Sequence, residues 1–329
     1  MGFAEIVGQG RILTYLRASL RSGRLHHAYL FLGPEGVGKR TAALALARAI
    51  HCEECRDDYC GRCVNCLRIS DGNHPDLRLI EPLPDKKEIT IKQVRELEAE
   101  LSYRSFTGKR KIAVIDPATL MNTAAQNALL KTLEEPPQDS LIILIASHAG
   151  GLLPTVRSRC LRLAFAPVSR GEVAEFLKSQ RAVKGEDAEF LAAMSMGSIG
   201  AATKMNKEEL VEKRRRWWEM LGALKDRGYP SAMAAAETLS ADRVETLEFL
   251  RWAETWYRDR LVHALTGDAE PLVNPDLIEQ SEKPSWEDDP DRLLSLISEI
   301  GRAGARIQRN LNRRMVLERL LFRAVETRS

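Results

Sequence analysis

The sequence predicts an α/β domain that carries a phosphate-binding loop on a parallel sheet, then a small helical unit and an all-helical C-terminal domain. Three observations predict it. Strands and helices alternate to about residue 166, a Gly-x-x-x-x-Gly-Lys turn joins an apolar strand to a small-residue helix, and the chain reads as helix beyond Pro167. A length of 329 residues calls for two or three compact units. The boundaries fall at 1–166, 167–208 and 209–329.

Each element has its own signal. Ala28-Tyr-Leu-Phe-Leu32 is an apolar run entering Gly33-Pro34, as a buried parallel strand does. Thr41 to Ile50 is a helix of small residues. Thr90 and Gln93 form a capping box ahead of the stripe Ile91, Val94, Leu97 and Leu101. Lys111-Ile-Ala-Val-Ile-Asp116 is a strand closed by a carboxylate, and Leu120–Glu134 is a helix stopped by Pro136-Pro137. Leu141-Ile-Ile-Leu-Ile145 suits the centre of a sheet covered on both faces. Ser169 and Glu172 cap the next helix, and Gly197-Ser-Ile-Gly200 makes a turn. Long helices follow from about 209, interrupted by a loop from Thr266 to Asp291 that is rich in Pro, Asp and Glu.

Composition narrows the function. No apolar run is long enough to span a bilayer, and the N-terminus lacks the basic patch and apolar core of a secretory signal, so the expectation is a cytoplasmic protein with no membrane partner. A net charge of +3 is close to neutral for this size. Proteins that grip DNA alone carry a stronger basic excess, so any nucleic-acid contact is expected to be shared by an assembly.

The loop Gly33-Pro34-Glu35-Gly36-Val37-Gly38-Lys39 has the composition of a polyphosphate cradle. Its glycines let backbone N–H groups curl around phosphate oxygens, the helix N-terminus adds positive potential, and Lys39 would reach the terminal phosphates. The position after the lysine should carry the hydroxyl that ligates Mg²⁺, but it is Arg40, with Thr41 one residue late. A guanidinium cannot ligate a cation, and one residue of helix rotates Thr41 well away. Asp116 stands where such proteins hold Mg²⁺, yet the next residue is Pro117, which offers no base to activate water. The expectation is ATP or ADP held without turnover.

Five of the six cysteines fall between Cys52 and Cys66. Two overlapping Cys-x-x-Cys steps, Cys60–Cys63 and Cys63–Cys66, with one upstream cysteine give four thiolates for a tetrahedral, structural Zn²⁺. An iron–sulfur cluster or a redox pair are the alternatives. The fourth ligand is Cys52 or Cys55, with Cys52 preferred because it ends a helix and leaves a longer loop to wrap the metal. His51 and His74 read as ordinary surface or loop histidines.

The order of the phosphate loop, the cysteine insertion, HPD (74–76), KIAVID (111–116), NALLKTLEEPP (127–137) and SRC (158–160) resembles the bacterial clamp-loader ATPases of DNA polymerase III, an AAA+ family, along almost the whole chain. Its departures resemble the delta-prime members, which lack the magnesium threonine and catalytic glutamate of the hydrolysing ones. The resemblance implies an AAA+ domain, a small lid and an oligomerisation collar, with 310–323 similar to the collar's last helix. It implies that Arg159 is an arginine finger acting in trans on a neighbour's ATP. By resemblance Ile6–Gln9 borders the adenine, Ser147 matches a γ-phosphate sensor, Cys160 is the buried cysteine of SRC, and Gly200 replaces a catalytic lid arginine. The implied partners are gamma/tau and delta subunits in a hetero-oligomer and, through it, the sliding clamp and primer–template DNA.

Trp217, Trp218, Trp252 and Trp256 read as helix packing, and the arginines from 302 to 323 as an ion-paired helix face rather than DNA contacts, whereas Arg214 to Arg216 fit either reading. Two other functions compete. An active ATPase of the same family is opposed by Arg40, Pro117 and Gly200. A zinc-bearing module that grips DNA alone is opposed by the near-neutral charge.

Overall fold

The computed structural model describes residues 2–268, 272–280, 289–308 and 311–326. The chain forms two compact units, Met1–Lys204 and Met205–Ser329.

In the first unit the chain runs α1 (Gly10–Arg21), β1 (Ala28–Leu32), α2 (Lys39–His51), α3 (Val64–Ser70), β2 (Leu77–Ile80), α4 (Ile91–Ser102), β3 (Lys111–Ile115), α5 (Thr123–Glu134), β4 (Ser140–Ala146), α6 (Pro154–Arg157) and β5 (Leu161–Ala164). The strands make one parallel sheet in the order β2-β3-β4-β1-β5. β4 is its central strand and is buried along its whole length, as a run of Leu and Ile requires.

Alternate side chains of each strand face opposite layers. Tyr29, Phe31, Ile112, Val114, Leu141 and Ile143 pack with α1, α2 and the cysteine segment. Leu30, Ala113, Ile115, Ile142 and Leu144 pack with α4 and α5. The capping box at Thr90 and Gln93 forms and starts α4 as the sequence predicts. Beyond the sheet, Ser169 and Glu172 close a second box at the start of α7 (Arg170–Arg181), followed by α8 (Gly185–Met194) and α9 (Ile199–Ala202).

The second unit is helical: α10 (Lys207–Ser240), α11 (Arg243–Thr266), α12 (Pro275–Gln280), α13 (Pro290–Gln308) and α14 (Arg313–Glu326). α10 is broken at Gly228, whose φ of 58° is left-handed. Trp217, Phe249, Trp252 and Trp256 are buried together, with Trp217 and Trp252 ring centroids 5.7 Å apart, so these indoles are core. Buried Arg214 forks onto both oxygens of Asp276 at 2.8 and 2.9 Å, Arg215 pairs with Glu219 and Arg216 with Glu245. That tract is an ion-paired face. The loop expected over 266–291 contains α12; its residues 269–271 and 281–288, together with Arg309 of the arginine run and Asn310 of the expected collar segment, lie outside the described residues. No described helix is long and apolar enough to cross a membrane.

Candidate functional site: a phosphate loop and a cysteine lobe

β1, between central β4 and edge strand β5, ends at the sheet's carboxyl edge, where open α/β sheets bind ligands. The loop from Gly33 to Gly38 leaves it and enters α2. Gly33 sits at φ 152°, and a Cβ there would lie 2.2 Å from the Phe165 carbonyl oxygen; Gly36 sits at φ 75°, and a Cβ would lie 2.2 Å from the Ser198 hydroxyl. Only glycine satisfies both the left-handed backbone and the space. Buried Gln9 ties the loop to the strand beyond it, donating to the Ala166 carbonyl at 2.8 Å and the Val37 carbonyl at 3.3 Å. The lid closes the other side: Ser198 donates to the Glu35 carbonyl at 2.9 Å and the Gly200 N–H to the Gly36 carbonyl at 2.9 Å. Gly200 therefore sits against the loop with no side chain to offer phosphate.

Lys39 is buried and turned back on its own loop, donating to the Gly33 and Pro34 carbonyls at 2.5 Å each. Burial lowers its pKa, with the charges of Asp116 and Glu35 opposing the shift. A polyphosphate entering the cradle would draw Lys39 off these carbonyls. Thr41 is exposed on the first turn of α2, and Ser147 directly follows β4.

The magnesium position differs from that of a hydrolysing loop. The Arg40 guanidinium stands 3.5 Å from Oδ2 of Asp116, at the end of β3, and is also bonded to Glu81, at the end of neighbouring β2. Hydrogen bonding to Glu81 raises the Arg40 pKa. Burial raises that of Asp116, against the pull of Arg40. The residues here do not fit a magnesium ion: the hydroxyl ligand is replaced, and the carboxylate is engaged by a cation of the chain.

Arg159 is not projected free of its own chain. Its side chain, 35% exposed, pairs with Glu134 at 2.5 Å and donates to the Thr155 carbonyl at 3.0 Å and the Ser158 hydroxyl at 3.4 Å. In the isolated chain this is the ion-paired surface arginine. Cys160 is buried in the core, and burial pushes its thiol up to about 12, which suits an inert packing residue.

The cysteine lobe bridges α2 and α3. The sulfurs of Cys52, Cys60, Cys63 and Cys66 lie within 4.8 Å of one another, and Cys55 is not among them. Backbone N–H groups converge on the sulfurs: Cys55 and Cys60 donate to Cys52 Sγ, and Arg62 and Cys63 to Cys60 Sγ, at 3.3 to 3.5 Å. Burial pushes the Cys66 thiol up, and its thiol neighbours oppose ionisation further. Four cysteine sulfurs this close together are the donor set of a four-thiolate metal site, so the residues fit a divalent cation that such ligands hold. The lobe is pinned from outside by Asp57 and Asp58. Arg21 holds Asp57 at 2.6 Å; Arg17 and the Phe3 N–H hold Asp58 at 2.8 and 2.9 Å.

The two histidines expected to be ordinary surface or loop residues are interior, His51 at the end of α2 and His74 in the loop before β2. His51 and His74 are buried, with ring centroids 4.3 Å apart, and Asp76 is buried beside them. The chain reverses here to enter β2, which brings the HPD segment under α2. Asp76 accepts four hydrogen bonds from the 105–107 turn: the Ser105 hydroxyl at 2.9 Å, the Phe106 N–H at 2.7 Å, and the Thr107 N–H and hydroxyl at 2.8 and 2.7 Å. Burial alone would raise its pKa, but these donors hold it below the usual carboxylate value. Asp76→Ala should cost about 3–5 kcal/mol in denaturant unfolding, because the donors lose a shared ionic acceptor. A folded pKa below the unfolded one means that this stability is present above about pH 4 and lost as pH falls through the folded value. The variant should therefore show a flatter acid limb than the parent.

A parallel β2-β3-β4-β1-β5 sheet with a Gly-Lys loop after β1, an acidic end to β3 and a helical lid on the loop defines an AAA+ P-loop ATPase fold. The signature described as "DNA polymerase III, delta subunit" matches residues 8–169. DNA polymerase III subunit delta' of Bacillus subtilis is 31% identical over 317 residues, covering 95% of each chain. That of Pseudomonas aeruginosa is 32% identical over 301 residues, covering 90% of each. The tau subunit of Escherichia coli is 32% identical over 256 residues, 74% of this chain and 39% of that protein. Among solved structures, a DNA polymerase III gamma subunit-related protein of Thermotoga maritima aligns with TM-score 0.44 at 19% identity, covering 95% of this chain and 98% of that one. The chain belongs to the DNA polymerase III subunit delta' family.

Proposed function

We propose that this chain is a non-hydrolysing subunit of a clamp loader, assembled with gamma/tau- and delta-type subunits. There it supplies Arg159 to a neighbouring ATPase and helps place a sliding clamp on primed DNA. The observation that carries the non-hydrolysing part is the engagement of Asp116 by Arg40, at 3.5 Å, in a site whose next residue is Pro117. A phosphoryl transfer needs a metal on the phosphates, an oriented water and a cation at the γ-phosphoryl group. Here the metal hydroxyl, the water-activating carboxylate and the lid arginine are replaced by Arg40, Pro117 and Gly200. What this chain's residues retain is the ability to bind: loop N–H groups and Lys39 for phosphates, and a lid resting on the loop.

Arg159 belongs to the reading through the resemblance of its SRC segment and through its chemistry. A guanidinium offers a planar fork of donors to charge on a transferring phosphoryl group. Its pairing with Glu134 holds it in a fixed place on the surface, and docking on a neighbour would exchange that carboxylate for a phosphate. The cysteine lobe, in this proposal, holds one structural Zn²⁺ through Cys52, Cys60, Cys63 and Cys66.

The test is turnover by the purified chain. Steady-state ATP hydrolysis should stay at the assay blank, with or without primed DNA, while a gamma/tau-type subunit assayed in parallel turns over. Turnover by this chain comparable to that subunit, and lost on Lys39→Ala, would make it an active ATPase.

A further inference from the structure

Asp116 and Glu81 end adjacent parallel strands, so their carboxylates share one corner of the sheet's carboxyl edge. Two carboxylates at such a corner repel each other and call for a cation. In a hydrolysing phosphate loop that cation is Mg²⁺, which needs near-octahedral oxygen ligands at about 2.1 Å. Here the first turn of α2 brings a fixed positive charge to the same corner. Arg40 bonds Glu81 and stands 3.5 Å from Asp116. We propose that the Arg40 guanidinium is the resident cation of this phosphate loop: it excludes divalent metal from Asp116, and the loop takes a nucleoside polyphosphate as the metal-free anion.

The charges make this consistent. Lys39 and Arg40 stand against Asp116, Glu81 and Glu35, so a dication added to this corner would meet a guanidinium within a few ångströms. Arginine does not give up its proton to make room, because its pKa lies far above neutrality and pairing with Glu81 raises it further. It also cannot be shared as a ligand, because guanidinium has no lone pair to offer a metal. A monovalent cation carried by the chain therefore replaces an exchangeable divalent one. The metal-free part of the inference rests on the reading of the loop as a polyphosphate site; the exclusion of metal from Asp116 stands without it.

Two measurements on the zinc-loaded full chain test the two parts separately. The first titrates Mn²⁺ by electron paramagnetic resonance. The parent should show no Mn²⁺ binding that depends on Asp116. Arg40→Thr, which frees the carboxylates and restores a hydroxyl, should bind Mn²⁺ at least about tenfold more tightly, with the gain abolished in R40T/D116N. Binding by the parent that disappears in D116N, or no gain in R40T, overturns the inference. The second measures a fluorescent ADP analogue in buffer freed of divalent ions and again with Mg²⁺. The parent's affinities should agree within about twofold, whereas R40T should bind at least about tenfold more weakly without Mg²⁺. A magnesium requirement in the parent overturns the inference. If the parent binds no nucleotide in either buffer, the polyphosphate reading of the loop falls, and with it the metal-free part, while the Mn²⁺ result still decides whether Arg40 excludes metal.

Discussion

In a complex reconstituted with its ATPase partners, Arg159→Ala should leave assembly intact and lower hydrolysis at the neighbouring site by about 10³-fold. The size follows from what a guanidinium does at a γ-phosphoryl group: charge spreads over three oxygens, and a planar donor fork inserted from outside stabilises it without reorganisation. Arg159→Lys should recover little, because an ammonium is a point charge and cannot bridge two oxygens. The pairing with Glu134 at 2.5 Å adds a discriminating variant. Glu134→Gln removes the competing carboxylate, so hydrolysis should rise if the arginine acts in trans. If the pair is only a surface ion pair, neither Arg159→Ala nor Glu134→Gln should move turnover, and unfolding should shift by less than about 1 kcal/mol. Size-exclusion chromatography of each variant complex separates a lost finger from a lost interface.

The features legible in the sequence share one property: their signals are local. Ala28–Leu32, Lys111–Ile115 and Leu141–Ile145 read as buried strands because both faces of each are apolar, and they pair side by side in the sheet. The loop from Gly33 to Lys39 and the cysteine spacing depend on a few adjacent residues. What the sequence did not disclose depends on distant partners. Glu81 lies in a proline-bounded stretch 41 residues from Arg40, and no periodicity announces that it would share that guanidinium. Asp76 gave only a family signal; its acceptor role needs the 105–107 turn some 30 residues on. His51 and His74 read as ordinary surface or loop residues, yet the chain's reversal brings His74 against His51 at the end of α2, where both are buried. Arg159 shows the same limit. Its motif suggests where it could act, but the carboxylate that holds it in the free chain comes from the end of α5.

Removal of metal from the cysteine lobe is expected to have the other large effect. Purified under non-chelating conditions, the chain should carry one zinc, measured by elemental analysis. Cys66→Ala should abolish it and lower stability by several kcal/mol, on the order of 5, since metal bound only by the folded lobe contributes its binding energy to folding. The magnitude should fall short of that for an isolated finger because Asp57 and Asp58 still tether the loop to Arg17 and Arg21. Cys52, Cys63 and Cys66 are also buried in the layer shared with α1 and α2, so hydrogen exchange should rise first over 52–66 and then along that face of the sheet. Cys55 supplies the internal control. Its N–H supports Cys52 Sγ at 3.3 Å, but its own sulfur stands outside the cluster, so Cys55→Ala should keep the zinc while Cys52→Ala loses it. The reverse pattern would reassign the fourth ligand, and full zinc retention in Cys66→Ala would remove the four-thiolate site altogether.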